Sequence, residues 1–199
     1  GFITNNLTNN ASIGPNNIFN SMEEWIIETV NFWKNSDIED LLVIRVHPAE
    51  EKQELFPGSV YVRDFVLDIV KNSKNILFID SNEKINSYSI INKMKYGIVY
   101  SSSIGMEIAF KGKNCIVCGE THYRKRKFVI SPSSKNDYFN ILKELNDAKD
   151  TSSKYPIDMN ELYNYLYFIY VKKINRINGF KSGGMEGRTI FNINSYVEL

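Results

Sequence analysis

The chain is punctuated by short apolar runs that do not alternate with polar residues: Leu41 to Val46, Asn75 to Ile79, Gly97 to Tyr100 and Asn114 to Gly119. A strand that is apolar at nearly every position must be covered on both faces, which is the habit of parallel strands flanked by helices. The stretches between these runs read as helices. Ser21 and Glu24 form a capping-box signature ahead of Trp25, Ile26, Thr29, Val30 and Trp33 at helical spacing. A second helix is expected from about Val60 to Lys71, with Val62, Phe65, Val66, Ile69 and Val70 facing inward, and a short one after Ser87. Another starts near Ile104 and stops at Gly112, and Ser134 caps one carrying Tyr138, Phe139, Ile141, Leu142 and Leu145.

Phe2-Ile3-Thr4 reads as the end of a strand, followed by a loop to Asn20, and Phe128-Val129-Ile130 as a last short strand. Five or six strands alternating with helices predict an α/β fold over residues 1–148, a Rossmann-like, doubly wound parallel sheet. The first strand reads as clipped, so the chain is expected to begin inside a longer protein.

Residues 149–199 divide into a polar linker, Lys149 to Tyr155, a helix from Asp158 to about Lys173, and a tail with Gly179, Gly183, Gly184 and Gly187 that reads as flexible. The helix carries Tyr163, Tyr165, Tyr167, Phe168 and Tyr170 around almost its whole circumference, which predicts burial against another domain or a partner. With Lys172, Lys173 and Arg176 at its end, the sharper reading is peripheral association with a membrane surface.

Composition narrows the function classes. At 199 residues and 43% hydrophobic, the chain can bury a real core. The 24 Lys and Arg nearly cancel the 23 Asp and Glu, which argues against nucleic acid as a main partner. No apolar run approaches the ~20 residues of a membrane span, and with no signal-peptide pattern a cytoplasmic location is expected. Cys115 and Cys118 sit three apart in a strand and so point to opposite faces, which suits neither a redox turn nor a zinc knuckle; they read as core thiols of a reducing compartment.

In open parallel α/β sheets, ligands bind beyond the carboxyl ends of the strands. Arg45-Val46-His47-Pro48 closes one run, and Arg45 and His47, two apart, share a face. A histidine there can donate to a phosphate oxygen or carry a proton near neutral pH; the alternative is an imidazole that bonds a backbone carbonyl at a strand edge. Ser101, Ser102 and Ser103 offer hydroxyls at a strand-to-helix turn, and Gly105 lets backbone approach a ligand at a helix start that favours phosphate. Glu107, four residues after Ser103, lies on the same face and suits ribose hydroxyls. Neither a G-x-G-x-x-G nor a Walker A sequence occurs, and the alternative is serines that cap the helix beside a wet face of Ser103, Glu107 and Lys111. Gly119-Glu120-Thr121-His122-Tyr123 follows the next strand and emerges in the same crevice, which makes Gly119 and His122 candidates; the alternative for His122 is a surface loop residue. The basic run Arg124 to Lys127 is either a solvated loop or a contact for phosphate or an acidic acceptor.

Three blocks, Arg45-Val46-His47-Pro48-Ala49-Glu50, Tyr100-Ser101-Ser102-Ser103-Ile104-Gly105-Met106-Glu107 and Gly112-Lys113-Asn114-Cys115-Ile116-Val117-Cys118-Gly119, followed by Tyr123 and Phe128, carry a resemblance. The chain resembles the bacterial capsule polysaccharide biosynthesis family, GT-B-type glycosyltransferases related to Kdo-transferring and lipid-linked capsule initiation enzymes. The similarity covers roughly Phe2 to Leu145, and Tyr163 to Tyr170 resembles the helix after the C-terminal domain of such proteins.

The resemblance implies the C-terminal, donor-binding half of a GT-B enzyme that uses a nucleotide-activated sugar, a CMP-sugar favoured, with a saccharide or lipid-linked saccharide acceptor. His47 and Ser102 or Ser103 would hold the donor phosphate and Glu107 its ribose, with His47 and Arg45 assisting departure of the leaving group. The acceptor site and general base are expected on an N-terminal GT-B domain. Arg124-Lys125-Arg126 departs from the small residue and glycine that the family often has near Tyr123. No tightly bound cofactor is implied, and no Asp-x-Asp triplet occurs to suggest an obligatory metal. Two other functions fit: a CDP-alditol-dependent polyol phosphate transferase of teichoic-acid type, and a non-catalytic nucleotide-binding or protein-interaction module.

Overall fold

Five short strands, Phe2–Thr4 (β1), Leu42–Arg45 (β2), Ile76–Ile79 (β3), Tyr96–Val99 (β4) and Asn114–Val117 (β5), form one sheet in the order β3-β2-β1-β4-β5. Every neighbouring pair is parallel, with Val43 opposite Leu77 and Ile98 opposite Ile116. The structure is a computed structural model and describes residues 2–4, 17–47, 50, 61–71, 73–172, 180–182 and 189–191. Pro48, Val60, Lys173, Arg176 and the four tail glycines, like most of the loop after β1, lie outside the described residues. Contacts divide the chain into two units, Gly1–Leu162 and Tyr163–Leu199.

Parallel neighbours require crossovers, and the helices supply them. Met22–Lys34 (α1), Val62–Val70 (α2), Ser87–Lys93 (α3), Ile104–Phe110 (α4) and Lys135–Asp147 (α5) follow the strands in turn. Side-chain alternation separates two layers. Leu42, Ile44, Ile98, Tyr100, Ile116 and Cys118 pack with Trp25, Val30 and Trp33 of α1, Val66 of α2 and Tyr138, Leu142 and Leu145 of α5. A buried contact between Thr29 Oγ1 and the Tyr138 hydroxyl, 2.8 Å, joins α1 to α5. Val99, Cys115 and Val117 face the other way, where Met106, Ile108 and Ala109 of α4 are also buried. A Cβ on Gly97 would lie 2.7 Å from Ile108 Cδ1, so glycine lets α4 close on β4. Both cysteines are free, buried thiols on opposite layers, and burial pushes each up.

Helix ends are set locally. Ser21 Oγ accepts from Glu24 N at 3.0 Å, but the Glu24 carboxylate reaches back one residue further than a capping box, to Asn20 N at 2.6 Å. Ser134 Oγ accepts from Asp137 N at 3.1 Å, and Gly112 takes a φ of 70° past the end of α4.

The last expected strand contracts to one parallel bridge between Ile130 and Ile116, since Pro132 has no N–H with which to continue the ladder. The expected polar linker contains a short helix, Thr151–Lys154 (α6), whose N-cap Asp150 accepts from Ser152 N at 3.0 Å. Asn114 Nδ2 donates to Tyr155 O at 2.7 Å, which ties this segment to β5. Met159–Tyr167 (α7) follows, with Leu162 buried.

In the second unit the helix widens into a π-helical turn over Phe168–Lys172, and Tyr163, Tyr167, Phe168 and Tyr170 are each more than half exposed. The expectation for these rings is burial against another domain or a partner, and within this chain they stand exposed. The tail read as flexible contains an antiparallel pair, Phe180–Ser182 (β6) and Thr189–Phe191 (β7), in which Phe180 stands opposite Phe191. Two β-prone triplets flanking a glycine-rich stretch carry that signal in the sequence. Among the described residues no helix is long and apolar enough to cross a membrane.

Candidate functional site

The strand order reverses between β1 and β4, and in such sheets the crevice opens outside the carboxyl ends at that point. His47 follows β2, Ser101 follows β4 and Gly119 follows β5, all at this edge. β1 separates β2 from β4, so His47 and Ser101 stand two strand spacings apart, about 10 Å. Gly119 is one spacing from the serine turn, about 5 Å.

Arg45 shares its face with His47, as read from the sequence, but its fork is spent on backbone. Nη1 donates to Val46 O at 3.0 Å and to the Asp80 carbonyl, and Nη2 donates to Glu83 O at 3.2 Å. The side chain is buried, and Nε has no hydrogen-bond partner among the described residues. Burial lowers its pKa, against the pull of Glu83 and Asp80. Arg45 therefore staples the end of β2 to the loop that leaves β3 and fixes the chain from which His47 projects.

His47 is half-buried, and burial first, then the Arg45 charge, hold its imidazole below the usual 6.5. A neutral ring at neutral pH offers one donor and one acceptor. Its carbonyl accepts from Glu50 N at 2.9 Å, and Glu50 Oε2 accepts from Val62 N at 3.2 Å at the start of α2. A carboxylate suits that helix end. Glu50 belongs to the motif around His47, but only the folded chain shows that it ties this strand exit to α2.

The serine turn is ordered mainly by backbone. Gly105 N donates to Ser102 O at 3.2 Å and Met106 N to Ser103 O at 3.1 Å. Ser102 Oγ accepts weakly from Ile104 N at 3.4 Å, while Ser103, the N-cap residue, makes no side-chain cap and is exposed. Glu107 is half-buried one turn on, and its carboxylate makes no hydrogen bond or ion pair among the described residues. Serine capping, the alternative reading of this turn, supplies that weak bond to Ser102.

Two tyrosines lock the loops of β4 and β5 together, and sequence reasoning missed both. A Cβ on Gly105 would lie 2.5 Å from the Tyr123 hydroxyl and 3.1 Å from its ring, and that hydroxyl donates to Ser102 O. A Cβ on Gly119 would lie 2.7 Å from Tyr100 Cδ1, and Gly119 N donates to Tyr100 O at 2.8 Å. Tyr100 in turn packs on Trp25 at 5.4 Å. The close approach at each glycine is thus made by a ring of the neighbouring loop. The available signal was a glycine in the first turn of a helix, where it weakens the helix unless packing needs it.

Burial, with Cys118 and Glu24 adding to it and Arg124 opposing, pushes the Tyr100 phenol up to about 12. His122 is exposed, with its ring edge-on to Tyr123 at 5.4 Å. Glu120 N donates to Asn17 Oδ1 at 2.8 Å, and its Oε2 is buried with no partner among the described residues. That adds a carboxylate to the edge beside Glu107.

Among the described residues, no three His, Cys, Asp or Glu side chains gather as a metal ion would require. An apolar hollow of about 480 Å³ lies elsewhere, against Val43, Leu77, Ile79, Ile90 and Met94, and no candidate site residue lines it. The chemistry available at the sheet edge is that of polar contacts: an imidazole, three hydroxyls and two carboxylates on a rigid frame. No family model, curated protein or solved structure matches this chain.

Two outcomes test this geometry. Gly105→Ala should cost about 1–3 kcal/mol in urea unfolding. In the Tyr123→Phe background, which lacks the obstructing hydroxyl, the same change should cost less, and strict additivity would contradict the lock. The His47 pKa is depressed on folding, so its contribution to stability is intact above the unfolded value of 6.5 and is lost as pH falls through the lower folded value. Wild type should therefore lose more stability than His47→Gln between about pH 7 and pH 5, and parallel stability curves would contradict the burial of His47.

Proposed function

We propose that the first unit binds the nucleotide of an activated sugar at the carboxyl edge of its sheet, as the donor-binding part of a glycosyltransferase of surface polysaccharide synthesis. The observation that carries this reading is the reversal between β1 and β4, with the polar residues singled out from the sequence leaving β2, β4 and β5 beside it. The order β3-β2-β1-β4-β5 supports a Rossmann-like, doubly wound arrangement, one half of a GT-B pair. The motifs around His47 and Ser101 to Glu107, which resemble the capsule polysaccharide family, support the substrate class.

In this reading His47 and the hydroxyls of Ser102 and Ser103 meet the donor phosphate, and Glu107 or Glu120 accepts from the ribose. Arg45 positions His47 and touches no ligand. Transfer breaks the bond between the anomeric carbon and the phosphate oxygen, so negative charge grows on the leaving nucleotide. A fixed imidazole donor placed where that charge develops favours departure. The acceptor hydroxyl forms the new bond, and its proton passes to a base supplied by the other half of the enzyme. A CMP-sugar is the favoured donor, with a saccharide or lipid-linked saccharide acceptor at the inner face of the membrane.

The test is a thermal-shift panel of CMP, CDP, UDP and GDP. One nucleotide, at ~100 times its dissociation constant, should stabilise the protein by about 2.7 kcal/mol. His47→Ala and Glu107→Ala should each weaken that nucleotide by about tenfold, the effect of one charge-assisted contact. A folded sample that responds to none of the four would overturn the reading.

A further inference from the structure

The two faces of the sheet are covered unequally. On one, α1 and α5 run for 13 residues each; on the other, α3 and α4 have 7 each, about 10 Å of helix. α4 packs on β4 and β5, and α3 is anchored through Ile91 and its cap residue Met94, both buried. The same face of β2 and β3, where Val43 stands opposite Leu77 and Ile79 follows two residues on, is left open beside α3 as the hollow of about 480 Å³. Leu41, Leu77 and Ile85 line it at 49%, 46% and 41% exposure. Single exposed apolar side chains are ordinary, but three around one concavity form a contiguous patch.

The volume falls within the ~300–1,000 Å³ of small-molecule sites, which are mostly apolar with a few placed polar groups. Such groups are present. Ser89 and Lys93 lie one turn apart on α3, and both line the hollow. Neither side chain makes a hydrogen bond or ion pair among the described residues. Lys95, also on the lining, is spent, because its Nζ donates to Asp40 Oδ2 at 3.1 Å and to Asn146 O at 2.6 Å. That pair cancels the Asp40 charge, and Lys93 gives the hollow its positive sign. A second copy of the chain is a poorer fit. Stable protein interfaces use about 20–30 residues a side, far more than a concavity with three half-exposed apolar side chains offers.

We propose that this hollow binds a free fatty carboxylate. Its chain lies on Val43, Leu77 and Ile79 against Ile90 and Met94, and its carboxylate accepts from Lys93 Nζ and Ser89 Oγ. The apolar floor selects the chain and the unspent lysine selects the head. The proposal stands without the nucleotide reading, since no residue assigned to the donor lines the hollow.

The experiment is calorimetric titration of the full chain with sodium octanoate, sodium decanoate and decyltrimethylammonium, on wild type, Lys93→Gln and Leu77→Asp. Wild type should bind decanoate about tenfold more tightly than octanoate, the effect of two further buried methylenes, and more tightly than the decyl cation. Lys93→Gln should weaken decanoate by about fivefold, the effect of one exposed ion pair, and should not weaken the cation. Leu77→Asp sets a like charge under the chain and should weaken decanoate by at least about tenfold. Its melting temperature should stay near that of wild type, because the position is an exposed one on the edge strand.

Absence of decanoate binding tighter than about 1 mM, equal wild-type affinity for the two decyl head groups, or equal decanoate affinity in all three proteins overturns the proposal. A wild-type dimer that binds no decanoate and that Leu77→Asp dissociates assigns the hollow to a second copy and also overturns it. Response or silence toward CMP bears on the donor reading alone.

Discussion

Every side chain of β4 and β5 is out of water, and this two-sided burial is the constraint on which the rest of the first unit depends. It demands a layer on each side. Trp25, Tyr138 and Leu142 fill one, and Met106, Ile108 and Ala109 the other. It leaves little room for polar groups along the strands. Asn114, the polar exception, is held by the bond from its amide to Tyr155 O. Polar side chains consequently collect where the strands end, and strand order decides which of those ends stand together.

The same packing makes that edge rigid. Tyr100 and Tyr123 each lie against a glycine of the neighbouring loop, so the β4 and β5 loops cannot shift independently without losing buried ring contacts. Arg45 does comparable work on the other side of β1, with three backbone carbonyls holding the β2 and β3 exits together. A half-buried neutral imidazole and a serine turn on such a frame are preorganised, and preorganised donors aid a reaction because they need no rearrangement as charge develops.

Much of this was legible wherever the determinant is local. Ser21, Gly112 and Ser134 mark helix ends because capping and left-handed stops involve residues a few positions apart. The apolar runs mark β2 to β5; in β4 and β5 burial on both faces removes alternation, whereas β3 at the sheet edge keeps an apolar run with Leu77 exposed. What was not legible depends on distant partners. Arg45 reads as a ligand contact until the carbonyls of Asp80 and Glu83 are placed beside it, and Gly105 reads as room for a ligand until Tyr123 fills the space. The short helix α6 was hidden in a polar segment, where a single capping aspartate, Asp150, outweighs the absence of an apolar stripe.

The central claim is that a nucleotide sits at the carboxyl edge, on the side of the β1–β4 reversal. Amide chemical-shift mapping of the isotopically labelled chain during titration with CMP tests it most directly. Perturbations should concentrate at residues 45–47, 100–105 and 119–122, three segments far apart in sequence that only this fold brings to one edge. Perturbations centred instead on Leu41, Leu77 and Met94, at the apolar hollow, or scattered without focus, would contradict the account.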